Sequence, residues 1–547
     1  MDYKYLRVRH SFKDLMRQAH FTITSKTVYF FGLLIFYFLL RITYITADPI
    51  YISWSFGAYT DIGYYASNVK SWITSGKIIT GDWDNRLLFP AYHYIVYGWT
   101  KIMGLSFYSL NLMAVIFSLL SMLILTYYNK SKNFKFFILF LTSLNFVSVA
   151  VSRIAYLENI SLFFLIISAY FAKRLNIISA VISAVFAGLA VLTKTSSLFI
   201  FPAIIIFLSI LAFTHRIKLL KYYIFCFIYL IAVIALLAYY FAASEFYDIS
   251  ILNYTLFNKA PNDFVNPLKN LINILHSNFF ARIPVISAAA AAYIYYFLFE
   301  KKKLDFSDLI MVLWLICVIA QQSLFNYNPL RYYLYFLPPM IFFAAKFFGF
   351  FFEFIKKMPV LKKRKIILAP AVYFAAYYYI WVYNRSILDR HYAVKYFSKD
   401  LFVAMSYIAA AVIILCAALK FIKYFDYVLF YSLISIFLFA ASYQIYNLHY
   451  KDITFDMKSA SRDIENVLAK ENLLAGWFAP QLCLNNNIKS LPSYNMSEQY
   501  LKSAGATHLI LEGGNILKSY GVFKLNYIKS YYISKIKTQL NLYEIIN

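Results

Sequence analysis

Long apolar runs alternate with short clusters of basic residues along the first 446 positions of the chain. After 26 polar and basic residues, the first apolar run extends from Thr27 to Leu40 and reaches into Ala47. A membrane-spanning helix needs roughly 20 apolar residues, so the succession of runs predicts about 13 spans. Most of the runs are separated by clusters of cations: Lys130, Lys132 and Lys135; Lys173 and Arg174; Arg216, Lys218 and Lys221; Lys301 to Lys303; Lys356 to Lys365; Lys420 and Lys423.

The spacing of these clusters predicts a topology. Each cluster follows the previous one by two apolar runs, so all of them reach the same side if every run crosses once. Loops rich in lysine and arginine face the cytoplasm. We therefore expect a cytoplasmic N-terminus, an uncleaved first helix because no small-residue cleavage site follows it, and three substantial segments on the other side: 48–107, 244–280 and 384–400.

The tail, residues 447–547, has a different pattern. Apolar positions recur at helical spacing from Asp456 to Lys470, and short apolar segments at Thr507–Leu511 and Leu540–Ile546 read as strands between Gly and Asn residues. We therefore predict a small α/β domain on the non-cytoplasmic side. The expected fold is an all-α polytopic membrane domain, 1–446, followed by this domain, with juxtamembrane helices in the first outer loop, 48–107.

Composition and charge narrow the function classes. Apolar residues make up 62% of the 547 residues and charged residues 14%, whereas soluble chains have roughly 45–50% and about 25%. The formal charge of +27 suggests a nucleic-acid partner, but the tail contains 11 basic and 8 acidic residues, so most of the excess lies in the cytoplasmic clusters. We expect membrane lipids and no nucleic acid as partners. The four cysteines have no close pair and predict neither a disulfide framework nor a metal cluster.

Charges beside spans on the predicted outer side are the candidates for chemistry, because such charges are costly near hydrocarbon and mark functional sites by default. Three lie between or within later apolar runs: Glu158, Lys194 and Arg331. Further candidates lie in the first outer loop: Asp61, Tyr64, Tyr65, Trp83, Arg86 and His93.

Several short motifs in sequence order resemble the GT-C class of polytopic glycosyltransferases, which includes protein O-mannosyltransferases and lipid A aminoarabinose transferases. The motifs are Asp61 with Gly63-Tyr64-Tyr65-Ala66; Gly81-Asp82-Trp83; Pro90, Tyr92 and Tyr94; Gly104; and then Ser152-Arg153 with Glu158, Leu192-Thr193-Lys194 and Arg331-Tyr332 before Pro338-Pro339. The chain departs from the family pattern at Ile62 and Phe89, where Glu and Pro are frequent. The Trp-Trp-Asp-Tyr-Gly signature of oligosaccharyltransferases is absent from the sequence, which argues against transfer of a preassembled glycan to asparagine.

The resemblance implies transfer of one sugar from a polyprenyl-phosphate donor to a lipid, protein or glycan acceptor at the outer face of the cytoplasmic membrane. An acceptor hydroxyl needs a carboxylate to take its proton. Asp61 is our choice for this base, by analogy with inverting glycosidases, and Glu158 is a second catalytic candidate. Fixed cations stabilise a departing phosphate, and Arg86, Lys194 and Arg331 are the candidates. Tyr64, Tyr65, Trp83 and His93 are assigned to the sugar or acceptor pocket, with no cofactor and no metal.

Other interpretations stay open at this point. Asp61 is also a suitable cap for a helix that starts near Ile62, Lys194 and Arg331 are also suited to snorkelling toward headgroups, and Glu158 suits a helix N-terminus. An O-antigen ligase or glycan polymerase is a second function, although it predicts a rich late outer loop. A flippase of lipid-linked sugars is a third, although it predicts charges in mid-span and helices interrupted by Gly or Pro. The chain has 14 Gly and 13 Pro.

Overall fold

The computed structural model describes most of the chain, with gaps. It covers residues 28–49, 57–77, 79, 85–244, 266–274, 283–299, 305–325, 329–357, 450–492, 497–513 and 524–546, together with 431, 434–435, 437–439, 441–443 and 445–446. Trp83, the predicted outer loop 384–400, the N-terminal basic stretch and the lysines 301–303, 420 and 423 lie outside these residues.

The membrane domain is built from helices that follow the predicted apolar runs. They are α1 Val28–Ile42, α2 Gly57–Ser75, α3 Asn85–Leu88, α4 Pro90–Met103, α5 Phe107–Thr126, α6 Lys132–Leu144, α7 Phe146–Ser152, α8 Leu157–Ala172, α9 Ile177–Thr193, α10 Ile200–Phe213, α11 Leu219–Ser244, α12 Pro267–Asn273, α13 Pro284–Phe299, α14 Phe306–Ser323 and α15 Leu337–Lys357. A 3₁₀ turn, Leu330–Phe336, leads into α15.

Five of the helical segments in the described ranges are long and apolar enough to cross a membrane, or six if the bent pair α6–α7 counts as one span. Four shorter apolar helices accompany them: α1, α8, α9 and part of α13. The polytopic helical class is thus confirmed, while the number of about 13 spans stays a prediction. Helices α2, α3 and α4 are present in the predicted first outer loop, and their position beside the membrane stays a prediction.

A break between α6 and α7 is held by a buried arginine from α1. The two helices meet at an angle of 66°, and such a break leaves backbone carbonyls without helical partners. Arg41, which is fully buried, donates to the carbonyl oxygens of Thr142 and Ser143 and to the hydroxyls of Ser148 and Ser152. Its guanidinium therefore supplies the donors that the broken helix needs.

The turn that follows α7 delivers Glu158 to the first turn of α8. Arg153 donates to the carbonyls of Leu40, Thr43 and Tyr44, which joins this turn to the end of α1. The amide of Asn159 donates to the carbonyls of Val151 and Ile154 and closes the turn from the other side. The position of Glu158 is thus fixed by hydrogen bonds from residues on both sides of it in the sequence.

The tail forms the predicted α/β domain. The strands are β1 Leu473–Ala475, β2 Lys489–Ser490, β3 His508–Glu512, β4 Lys524–Ile533 and β5 Thr538–Ile546; the helices are α16 Asp456–Val467, α17 Ala479–Leu482 and α18 Glu498–Ser503. The sheet has the order β2-β1-β3-β5-β4, with β1 parallel to both β2 and β3, and with β5 antiparallel to β3 and β4. The predicted helix from Asp456 and the two predicted strands are confirmed as α16, β3 and β5.

Candidate active site

Asp61 lies inside α2 and not at its start. The helix already includes Gly57, one turn earlier, so the interpretation of Asp61 as the cap of a helix starting near Ile62 is wrong. A helix turns about 100° per residue, so Gly57, Asp61 and Tyr65 lie along one face of α2. This face meets side chains from the ends of α8, α9 and α15.

Four charged side chains from four segments meet at this face, and we call them the site cluster: Asp61, Glu158, Lys194 and Arg331. Nη1 of Arg331 lies 2.5 Å from Oδ2 of Asp61, and its Nε lies 3.3 Å from Oε1 of Glu158. Nζ of Lys194 lies 4.0 Å from the same Glu158 oxygen. The prediction from sequence named all four, and the structure brings them together.

Each member sits at a helix end or just before one, except Asp61. Glu158 is in the first turn of α8, Lys194 follows the last residue of α9, and Arg331 is in the 3₁₀ turn before α15. Since α8 and α15 begin where α9 ends, these three residues lie at one end of the helix bundle. The site cluster thus lies near one end of the helices and not at their middle.

The site cluster is almost removed from solvent. The side chain of Glu158 is 1% exposed and those of Lys194, Arg331 and Asp61 are 8%, 10% and 15% exposed. Two carboxylates and two cations balance formally, which makes burial of all four tolerable. Burial raises the pKa of the Asp61 carboxyl, Arg331 and Lys194 lower it, and Glu158 raises it; the net direction is upward. A carboxylate with a raised pKa is a better proton acceptor.

Glu158 has unused acceptor capacity. Within the described part of the chain its two oxygens accept no hydrogen bond, and its ion pairs to Arg331 and Lys194 are 3.3 and 4.0 Å long. A buried carboxylate normally has well-aligned donors. Glu158 is therefore suited to receive a hydroxyl or another polar group of a ligand.

Aromatic rings line the cluster. Nζ of Lys194 lies 5.0 Å from the ring centre of Phe89, 5.4 Å from that of Tyr332 and 5.8 Å from that of Tyr65. The guanidinium of Arg331 lies 5.2 Å from the ring centre of Tyr156. These distances are within the range of cation–π attraction, and rings of this kind also provide flat surfaces for a sugar or an isoprenoid.

The other predicted site residues are placed less directly. Tyr64 is 2% exposed, and its carbonyl accepts from the Ser67 hydroxyl. His93 is buried on α4, its Nδ1 lies 2.9 Å from the carbonyl oxygen of Phe89, and its ring meets Tyr92 edge-on. Arg86 is on the short helix α3 and half-buried. The roles of these three residues stay predictions.

Sequence reasoning missed Gly57 and Tyr156. A Cβ atom at Gly57 would lie 2.8 Å from Nη1 of Arg331 and 3.0 Å from Oδ2 of Asp61, so glycine leaves the room that this ion pair occupies. A spacing of four residues places Gly57 and Asp61 on the same face of a helix. This spacing indicates their proximity only when α2 is known to begin at Gly57. Tyr156 directly precedes α8 in the same turn as Glu158.

Comparison with solved structures shows the fold. Over 94% of this chain and 97% of the other, the fold matches ArnT from Cupriavidus metallidurans bound to undecaprenyl phosphate, with a TM-score of 0.55 and 10% identity. The apo state of the same protein gives 0.57 and 12% identity over 95% and 98% of the two chains. AglB from Archaeoglobus fulgidus, an archaeal oligosaccharyltransferase in complex with an inhibitory peptide and a dolichol-phosphate, gives 0.47 and 12% over 90% and 69%. No protein-family model and no curated protein matches the sequence.

The chain therefore has a GT-C type fold, which confirms the predicted resemblance at the level of architecture. The match to ArnT extends over nearly the full length of both chains, so the tail domain belongs to the shared fold as well.

Proposed function

We propose that this protein is a membrane glycosyltransferase that moves one sugar from a polyprenyl-phosphate donor to a hydroxyl of a lipid, protein or glycan, with inversion at the anomeric carbon. Asp61 is the general base. The reaction takes place at the non-cytoplasmic face of the cytoplasmic membrane.

The observation that carries the proposal is the site cluster itself. A base for the acceptor and cations for a leaving phosphate are the two requirements of this chemistry. Asp61, from the outer loop, and Lys194 and Arg331, from helix ends, supply both within one buried group. The similarity in fold to ArnT, which has been crystallised with undecaprenyl phosphate, supports a lipid phosphate as the carrier.

The balance of the reaction assigns each group a task. The bond from the anomeric carbon to the phosphate oxygen breaks, and a new bond forms from that carbon to the acceptor oxygen on the opposite face of the sugar. The acceptor proton passes to the Asp61 carboxylate. Polyprenyl phosphate leaves with an added negative charge, which Arg331 and Lys194 stabilise, together with Arg86 if α3 brings it within reach.

The resting ion pair gives the order of events. The guanidinium 2.5 Å from Asp61 lowers the pKa of that carboxyl against the larger effect of burial, so the contact makes Asp61 a weaker base than burial alone would. An incoming phosphate competes for Arg331 as a bidentate partner. Donor binding thus loosens Arg331 from Asp61 and frees the base when a substrate is present. Glu158, which already contacts both cations, keeps them aligned.

The alternatives fit the geometry less well. A flippase requires polar groups along a path through the spans, whereas the site cluster lies at one end of the bundle. A ligase or polymerase would depend on a late outer loop, and the predicted segment 384–400 is short. Catalysis at one surface is the simpler account of a base and two cations gathered there.

The test measures sugar transfer with purified protein in lipid nanodiscs. Radiolabelled polyprenyl-phosphate sugars are supplied one at a time with extracted envelope lipids, glycans and proteins, and both labelled product and released polyprenyl phosphate are counted. Asp61→Asn removes the base with little change in volume. We expect its rate to fall by about 10²- to 10⁴-fold.

The matched control is Asp463→Asn, in which a partly exposed tail carboxylate paired with Lys529 is changed in the same way. It should transfer sugar at the wild-type rate. Equal rates for Asp61→Asn and Asp463→Asn would remove Asp61 from the mechanism, and absence of transfer from every donor by the wild type would remove the proposed function.

A further inference from the structure

The tail domain packs backbone to backbone against the helix that carries Asp61. The contact is made by residues 479–488 of the tail, which we call the docking loop. The backbone N–H of Gly63 donates to Oε1 of Gln481 at 2.6 Å. A Cβ atom at Gly63 would lie 2.2 Å from the Gln481 nitrogen and 2.5 Å from the Pro480 carbonyl carbon. This approach of α2 to the tail is therefore possible with glycine alone.

Lys70 extends the same contact two turns farther along α2. Its side chain is buried, and its Nζ donates to the carbonyl oxygens of Cys483 and Ile488, the latter at 2.5 Å. Burial lowers the pKa of the Lys70 ammonium. Both acceptors are neutral, and an ammonium removed from water needs such specific acceptors to be tolerated. Lys70 thus holds the far end of the docking loop.

Opposite faces of α2 serve the site and the tail. At about 100° per residue, Gly63 lies about 200° from Asp61 and Lys70 lies about 180° from it. The face that carries Asp61 meets Arg331, while the face that carries Gly63 and Lys70 meets the docking loop. The helix is therefore held between the tail and the charged ends of the bundle.

The tail is itself attached to the membrane domain at two other positions. The carboxylate of Asp48, just beyond α1, accepts from the backbone N–H groups of Asp456 and Met457 and so caps α16. Oδ1 of Asn485, in the docking loop, accepts at 2.7 Å from the backbone N–H of Phe107, the first residue of α5. The tail thus has fixed points on the ends of α1 and α5 from which it can position α2.

We propose that the tail is a positioning domain: the docking loop clamps α2 and thereby sets the distance of Asp61 from Glu158, Lys194 and Arg331. Gly63 and Lys70 are positioning residues that act through Asp61 and touch no substrate. This inference rests on the proposed function for its kinetic consequence, whereas its structural consequence can be measured without any activity.

The first test compares two glycines. Gly63→Ala places a methyl group against the backbone of Gln481 and Pro480, whereas a Cβ atom at Gly98, on α4, meets nothing within 4 Å. Both changes raise helix propensity equally, so the control isolates the contact. For Gly63→Ala we expect at least a tenfold fall in kcat with the donor KM changed less than about threefold, as small displacements of a catalytic group are costly. Gly98→Ala should equal the wild type.

Two readouts separate positioning from a general loss of structure. Since burial is the largest cause that raises the pKa of Asp61, loosening α2 should move the acid limb of the kcat profile of Gly63→Ala toward lower pH. Hydrogen–deuterium exchange should rise in peptides from α2, including the one with Asp61, and stay unchanged in the sheet of the tail. A loss of active molecules alone would reduce kcat without moving the acid limb.

The second variant covers the case in which Gly63→Ala does not fold. Lys70→Met keeps the length of the side chain and removes both hydrogen bonds, and Lys529→Met does the same at an ion pair that is 48% exposed on the lysine side. Lys70→Met should raise exchange in α2 and lower kcat, and Lys529→Met should do neither.

Unchanged exchange in α2 of the folded Lys70→Met protein overturns the clamp. Raised exchange with wild-type kcat and acid limb overturns its effect on Asp61. If wild type transfers no sugar, the proposed function fails, and the exchange data still decide the clamp.

Discussion

The site cluster can be compared with a second group of charges at the opposite end of the bundle, in which Lys346 and Asp308 are buried and the side chain of Asp305 is 54% exposed. In this second group, the basal cluster, Nζ of Lys346 on α15 lies 2.9 Å from Asp305 and 2.5 Å from Asp308. Oδ1 of Asp305 also accepts from the backbone N–H of Asp308 and caps α14. Both aspartates thus come from one helix start, and a single lysine satisfies both.

The difference between the two clusters concerns how completely the charges are satisfied. In the basal cluster the one lysine has short contacts to both aspartates, and one of these also caps a helix. In the site cluster Glu158 has only long ion pairs to Lys194 and Arg331 and accepts no hydrogen bond in the described residues. A fully satisfied group specifies packing, whereas an incompletely satisfied one has room for a ligand. The same residue types are therefore fully satisfied at one end and, under the proposed function, open to a ligand at the other.

Among the variants that test this comparison, the largest effect is expected at Arg331. Arg331→Met removes the guanidinium that contacts both carboxylates, so the charge of the leaving phosphate loses a fixed cation. We expect kcat to fall by about 10²- to 10³-fold, measured as release of polyprenyl phosphate in nanodiscs. Arg174→Met, an exposed arginine near the other end of the bundle, should leave kcat unchanged. If both variants retain wild-type kcat, the division between the two clusters is wrong.

The reverse result is expected at Lys346. Lys346→Met leaves Asp308, whose side chain is 4% exposed, without its cation, and breaking a buried pair costs about 3–5 kcal/mol. Thermal unfolding in detergent should therefore occur at a lower temperature, while kcat per folded molecule stays at the wild-type value. The double change Lys346→Met with Asp308→Asn should recover part of the stability. A catalytic defect in folded Lys346→Met would instead assign the basal cluster to the reaction.

A smaller effect concerns the pH dependence of the site cluster. In the proposed mechanism catalysis requires ionised Asp61, so kcat should fall as the pH drops through its pKa, which lies above that of an ordinary aspartate. Glu158 raises this pKa by repulsion, and Glu158→Gln removes the repulsion. The acid limb should shift to lower pH, whatever the change in maximal kcat. The control Glu471→Gln, at an exposed position of the tail, should leave the acid limb at the wild-type pH. An unshifted acid limb in Glu158→Gln would exclude Asp61 as the titrating base.

The sequence was sufficient to predict the class and the site cluster, because charges are rare beside apolar runs and the basic clusters predict which side of the membrane those charges face. Asp61, Glu158, Lys194 and Arg331 were named for that reason, and the α/β tail followed from the change in periodicity. The distances within the site cluster could not be predicted from the sequence, since they depend on which helix ends meet. Residue types alone also could not distinguish the roles of Lys346 and Lys194.

The contacts between the tail and α2 could not be predicted from the sequence for a different reason. Gly63 and Lys70 meet residues more than 400 positions away, and a glycine or lysine in an outer loop is common. Asp48 likewise lies beside an apolar run, and its carboxylate caps α16. Long-range packing of this kind has no local pattern, so periodicity and spacing cannot indicate it.

The smallest effect should come from Gly57, which sharpens the comparison because it changes no charge. In Gly57→Ala the new methyl group would lie 2.8 Å from Nη1 of Arg331 and 3.0 Å from Oδ2 of Asp61, so these side chains must move apart by a few tenths of an ångström. We expect kcat to fall by about threefold to tenfold, equivalent to about 1 kcal/mol, with no loss of thermal stability because alanine favours the helix. Gly98→Ala is again the matched control. Equal kcat for the two variants would mean that the Asp61–Arg331 pair accommodates the methyl group without loss of activity. The close contact between these two side chains would then not control the base.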